Sequence, residues 1–220
     1  MNTNKCLNPK ASLKDKRLNK DYASLVQSSQ VHFESLKNRK QQPIHYVVYD
    51  VINIKKDDNS SFLIVINGAE GTLYSGAKII FKIVVDQAKR NYPFTAPSVT
   101  CVTPVYHPNI DKQGHICLDI LGNNWVAAQT FVSIATSISS FLDEPNPDDP
   151  LFTEAANLYK KNRKEYSVKV KEFVDKYATD EEYIRIKNGG KLDAIQKHIG
   201  NAPDIPVYDS DNSQDSDDMY

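Results

Sequence analysis

The chain has 220 residues, 40% of them apolar, with 27 Lys and Arg set against 28 Asp and Glu. That length suits one sizeable core with extensions, and a formal net charge of −1 excludes an overall basic protein that seeks nucleic acid. No apolar run approaches the roughly 18 residues of a membrane span or the core of a signal peptide, and the cysteines Cys6, Cys101 and Cys117 have no paired spacing, which excludes a disulfide framework and a zinc knuckle; a reducing compartment, cytoplasm or nucleus, is expected.

Charge is segregated: residues 1–40 hold nine Lys or Arg against three acids, and residues 203–220 hold six Asp and no base. In KDKRLNKDYASLV, Leu18, Tyr22, Leu25 and Val26 recur at helical spacing with Lys16, Arg17 and Lys20 off the stripe, which predicts an amphipathic first helix with a basic outer face. Residues 27–43 are polar and end at Pro43; they read either as more of that helix or as an inserted linker. HYVVYDVINI and SFLIVI predict strands joined by a KKDDNSS loop, and NGAEGTLYSGA turns the chain into a third strand, KIIFKIVV, where Phe81, Ile83 and Val85 alternate with Lys82 and Val84. Prolines crowd a short fourth strand at Val99–Thr103, placing it at the sheet edge.

TFVSIATSISSFLDEPNP carries the clearest helix, with Phe131, Ile134, Ala135, Ile138, Phe141 and Leu142 in one stripe, Thr130 as cap and Pro145 as stop. TEAANLYKKN and RKEYSVKVKEFVDKYA predict two more, the second uniting Tyr166, Val170, Phe173, Val174 and Tyr177. Beyond Ala178 an NGG break and an Asp/Ser-rich end predict a weakly ordered extension, with a short helix near KLDAIQKHI. The order is α+β: an N-terminal helix, a four-stranded antiparallel meander sheet, a cysteine-bearing loop that is the candidate active site, a central helix and C-terminal helices.

Cys101, inside VTCVTPV, reads as a core thiol. Cys117 follows the polar DKQGH and precedes Asp119 and GNN, a context that favours exposure. Zinc needs about four ligands, and His107, His115 and Cys117 have no second cluster to complete the set. His107 with Asn109 could mimic a protease base and its orienting amide, but Tyr106 and Pro108 on either side of His107 suit a fixed turn better than a proton shuttle.

Taken together, HPN, the cysteine eight positions on, LDIL, Trp125 and EPNPDDPL resemble the ubiquitin-conjugating enzymes. Helix one, the Gly68–Tyr74–Gly76 turn, Tyr92-Pro93-Phe94 with Pro97, and the terminal helices follow the family order over residues 14–178. The resemblance implies an N-terminal extension, 1–13, a catalytic core, 14–178, with an insertion around 27–44, and a C-terminal extension, 179–220, ending in an acidic tail. It implies that Cys117 receives ubiquitin as a thioester from an activating enzyme and passes it to a substrate lysine or a ligase cysteine, since a thiol is both nucleophile and leaving group. Asn109 would steady either the oxyanion or the loop beside it, His107 and Pro108 would hold Asn109 in place, Asp149 would orient and help deprotonate the acceptor lysine, and Asp119 would lie near the site. The acids of the PDD run suit the capping of the next helix equally well, with Asp148 the bystander. Lys16, Arg17 and Lys20 are implied to meet an acidic domain of the activating enzyme, and Phe94, Val126 and Ala127 to meet RING-type or related ligases. No metal or cofactor, no nucleic acid and no membrane is implied, and a monomer is expected.

The chain departs from the family pattern at WVAAQ, where Ser-Pro-Ala is usual, in the segment after helix one, in a lengthened VVDQAKRNYPF, and at Ala77. His115, two residues before the thiol, replaces a small polar residue and, if cationic, would favour the thiolate. The family also implies a cis bond at Tyr92–Pro93. A non-catalytic binding variant would lack the cysteine, and a scaffold acting through its tails would tolerate its loss.

Overall fold

The computed structural model describes residues 13–37, 47–55, 58–86, 92–117, 121–122 and 124–191. Among them the elements are α1 (Leu13–Lys37), β1 (Val48–Lys55), β2 (Asp58–Asn67), β3 (Lys78–Val84), β4 (Ser98–Cys101), α2 (Phe131–Asp143), α3 (Thr153–Lys161), α4 (Arg163–Tyr177) and α5 (Asp180–Lys187). The strands pair antiparallel in the order β1-β2-β3-β4, the expected meander.

Register sets Phe62 opposite Ile83, Ile64 opposite Phe81 and Ile66 opposite Ile79, so the period-2 pleat sends all six side chains to one face. There they join Leu18 and Leu25 of α1, the stripe of α2, and Tyr166 and Val170 of α4 in the main core. At about 1.5–3 kcal/mol for each fully buried large apolar side chain, this face supplies most of the stability. Thr130 and Ser133 form a reciprocal capping box at the start of α2: Ser133 N–H donates to Thr130 Oγ1 (3.2 Å) and Thr130 N–H to Ser133 Oγ (2.9 Å).

Residues 27–37 continue α1, as one of the two readings of that segment had it, and residues 38–43 lie outside the described residues. β2 begins at Asp58, inside the stretch expected to be loop, because the Asp58 carboxylate accepts from Ser60 N–H (2.9 Å) and from Ser60 Oγ (2.5 Å) and supports a polar strand entry. The Tyr92–Pro93 bond is cis, as the family resemblance implied. Gly68 meets the turn that follows it at such close range that a Cβ would lie 1.7 Å from the Tyr74 carbonyl oxygen.

The largest correction concerns the segment after Ala178. Where weak order was expected, α5 packs Tyr183 and Ile186 against Leu63, Val65, Ile80 and Val102 on the outer face of the sheet. Thr179 caps it, accepting from Glu182 N–H (3.2 Å), with acids in its first turn and Arg185 and Lys187 in its last. Tyr183 Oη and Lys187 Nζ each donate to Asp50 of β1 (2.7 Å). The helix near KLDAIQKHI and the acidic tail fall almost wholly outside the described residues.

Candidate active site

From Cys101 to Ile110 every residue is buried. The Tyr106 carbonyl receives the hydroxyls of Tyr74 (2.9 Å) and Tyr166 (3.4 Å), which fixes the chain just before the His-Pro-Asn turn. His107 is fully buried beside the Phe141 ring, 4.7 Å between centroids. Its Nδ1 accepts from Asn109 N–H (3.1 Å), which leaves the hydrogen on Nε2 to donate to the Phe141 carbonyl (3.1 Å). Burial depresses the imidazole pKa to about 4. With both nitrogens committed and the ring neutral, His107 is a structural pin and not a proton carrier; Phe141, the most exposed member of the expected α2 stripe, packs at the margin of the core with its ring against His107.

Asn109 is 2% exposed and its side chain is fully used. Nδ2 donates to the carbonyls of Asn146 (2.7 Å) and Asp149 (2.9 Å), and Oδ1 accepts from Asn146 N–H (2.8 Å). The Pro108 carbonyl accepts from Leu151 N–H (2.9 Å) and Phe152 N–H (2.8 Å). These bonds fasten the loop 145–152 to the turn, leaving the carboxylates of Asp148 and Asp149 exposed; Asp148 pairs with Lys160 (2.7 Å). The Asn109 main chain reaches the other way, its carbonyl accepting from Cys117 N–H (3.2 Å).

Cys117 is half-buried and forms no disulfide. The loop leading to it is built on Asp111, whose carboxylate accepts from Gln113 N–H (2.9 Å) and His115 N–H (2.8 Å) and meets His115 Nδ1 at 2.7 Å. Gly114 has φ +82°, and a Cβ there would lie 2.0 Å from the Cys101 carbonyl oxygen, so only glycine closes the turn. Sequence reasoning passed over Asp111; an Asp two residues before Gln-Gly is a turn signal that could have found it.

The expected partner residues separate into two kinds. Lys16, Lys20, Phe94 and Val126 are exposed and Ala127 is half-exposed, whereas Arg17 is tied inward to Asp21 (2.6 Å) and to the Gln129 carbonyl (2.8 Å). Asp119 lies outside the described residues. Among the described residues no three His, Cys, Asp or Glu side chains gather as a metal ion would need, and no helix is long and apolar enough to cross a membrane.

A family model described as ubiquitin-conjugating enzyme matches residues 17–174. The chain is 37% identical to ubiquitin-conjugating enzyme E2 N of Drosophila melanogaster over 132 residues, which is 59% of this chain and 85% of that protein. Among solved structures, the E2 domain of a Toxoplasma gondii ubiquitin conjugating enzyme superposes with a TM-score of 0.60 at 29% identity, covering 74% of this chain and 99% of that one.

Proposed function

The chain belongs to the ubiquitin-conjugating enzyme family, a family of transferases, and on that premise we propose that Cys117 is the thiol that carries ubiquitin. The Cys117 thiolate attacks the carbonyl of ubiquitin held as a thioester on the activating enzyme, and that enzyme's thiolate leaves. An acceptor amine then attacks the new thioester, Cys117 leaves as thiolate, and the amine loses a proton; a ligase cysteine accepts by a second thioester exchange. Sulfur serves both steps because it is a good nucleophile toward a carbonyl and a good leaving group against an amine.

One observation carries this reading: Asn109 holds Cys117 with its main chain and the Asp149 loop with its side chain. A thiol and an outward-facing carboxylate are thereby tied to one buried residue, an arrangement suited to presenting an acceptor lysine to a thioester. With both amide hydrogens of Asn109 spent on main-chain carbonyls, its role is to hold this loop, and Asp149 acts on the lysine, which at neutral pH must shed a proton before it attacks.

The exposed Lys16 and Lys20 face the activating enzyme, Phe94, Val126 and Ala127 face a ligase, and the working compartment is reducing, cytoplasm or nucleus. The catalytic core spans 14–178, flanked by extensions. Incubation with activating enzyme, ATP and ubiquitin tests the whole: a reductant-sensitive adduct, absent from Cys117→Ser, is expected, and its failure to form would overturn the reading.

A further inference from the structure

Phe94 and Val126 are 75% and 56% exposed, on two different loops. Phe94 rims a cleft lined by Pro97, Leu121 and Trp125, and Val126 follows Trp125 directly. Behind them lies a charged cluster with no part in the chemistry at Cys117. Asp21 of α1 is 4% exposed, and its Oδ2 accepts from both Tyr92 Oη (2.6 Å) and Arg17 Nε (2.6 Å). Arg17 uses its other arm, Nη2, to hold the Gln129 carbonyl (2.8 Å), and Gln129 N–H in turn holds the Val126 carbonyl (3.0 Å). Tyr92 is stacked on Phe131 at 5.3 Å, and the Pro93 carbonyl accepts from Trp125 Nε1 (2.8 Å), which closes the circuit between the loops.

We infer that Arg17, Asp21 and Tyr92 are positioning residues that fasten the Phe94 and Val126 loops to α1 and so present the two side chains as one apolar docking surface, fitted to a ligase whose apolar groove carries an acidic rim. This deepens the proposed function and rests on the chain being a conjugating enzyme that answers to a ligase. The acidic rim follows from Lys16 and Lys20, which adjoin Arg17 on the exposed surface of α1 and on this reading meet the activating enzyme and the ligase in turn.

The physical argument is that a carboxylate taken out of water is costly unless fully partnered. Asp21 finds its partners in the two groups that support the two loops, so displacement of the Phe94 loop takes a hydrogen bond from a buried carboxylate, and displacement of the Val126 loop takes one from the guanidinium paired with it. The loop WVAAQ lacks the proline usual in the family, and the hydrogen bond from Arg17 to Gln129 holds it in its place. A surface held in its binding geometry spends less of the contact energy on ordering.

Tyr92→Phe removes one hydroxyl, and Asp21→Asn neutralises the acceptor. In both, amide exchange over residues 94–96 and 124–129 is expected to quicken by about tenfold while the β2 segment 62–66 keeps the parent rate, the loss of one charge-assisted hydrogen bond setting the scale. With a RING domain that accelerates discharge of the parent's thioester as probe, KM for that domain should rise by about tenfold, and ligase-free discharge onto free lysine should stay within about twofold. Exchange that rises uniformly or not at all, an unchanged KM, or the failure of every RING domain tried to accelerate the parent would overturn the inference. A parent that forms no thioester overturns the function beneath it instead, and the exchange measurement still decides the positioning role.

Discussion

Cys101 and Cys117 hang on the same small loop and live in opposite surroundings. Cys101 N–H donates to the Gly114 carbonyl (2.8 Å), and the neighbouring Thr100 bridges to His115, two residues before Cys117. Cys101 is 2% exposed, burial pushes its thiol well above the ordinary range, and its Sγ points to the Thr103 carbonyl at 3.1 Å. Cys117, half-buried at the far end of the loop, keeps a route to solvent. Burial thus separates the two thiols, and a core thiol shares one turn with the thiol proposed to carry ubiquitin.

Exchanging the cysteines one at a time should give the largest contrast. Cys117→Ser is expected to abolish the reductant-sensitive adduct outright, whereas Cys101→Ala should charge within about twofold of the parent and lose about 1–2 kcal/mol of stability from the small cavity it leaves. A charging gel and a urea titration check both. The loop that joins them is the next target: Gly114→Ala places a Cβ on the Cys101 carbonyl and forces alanine to a φ of +82°, so a loss of about 3–5 kcal/mol is expected in denaturant melts, together with slower charging.

His107 sharpens the contrast through pH. Its pKa falls from 6.5 to about 4 on folding because burial disfavours the charged ring. The unfolded chain therefore binds the proton first, and the stability from a neutral His107 is fully present above pH 6.5 and lost as pH falls from there through about 4. The parent should lose on the order of 3 kcal/mol over that window beyond what His107→Gln loses, read as the difference between two urea-midpoint series. Equal slopes would show that the turn is open to water and that the sealed side of the loop is less sealed than its burial implies.

Much of this was legible in the chain. Thr130, the α2 stripe and the meander are local signals of capping and period, and HPN with its downstream cysteine is a spacing that survives in one dimension. Two things were not. The uninterrupted run FLIVI signals a strand buried on both faces, but the reading placed no cover on the second; α5 shows only Tyr183, Ile184 and Ile186 among polar residues, too few to raise a helical period. Arg17 looked like an outward charge because helical spacing places it off the apolar stripe; its partners, Asp21 within the helix and Gln129 far along the chain, become visible only when α1 docks.

The smallest expected effect belongs to His115. Two residues before Cys117, a cationic imidazole would favour the thiolate if its field reached the sulfur unopposed. The ring instead meets the Asp111 carboxylate at 2.7 Å, and its side chain is 71% exposed, so solvent screens the pair and the carboxylate offsets the charge. His115→Ala should therefore change stability by no more than about 0.5 kcal/mol and leave the pH profile of charging superimposable on the parent's within about twofold. Asp111→Ala should do more to both, because Asp111 also holds the main chain at Gln113 and His115 and so the path of the loop to the thiol. If His115→Ala instead shifts the charging profile, the difference between the two cysteines is partly one of local charge, and burial is only half of what separates them.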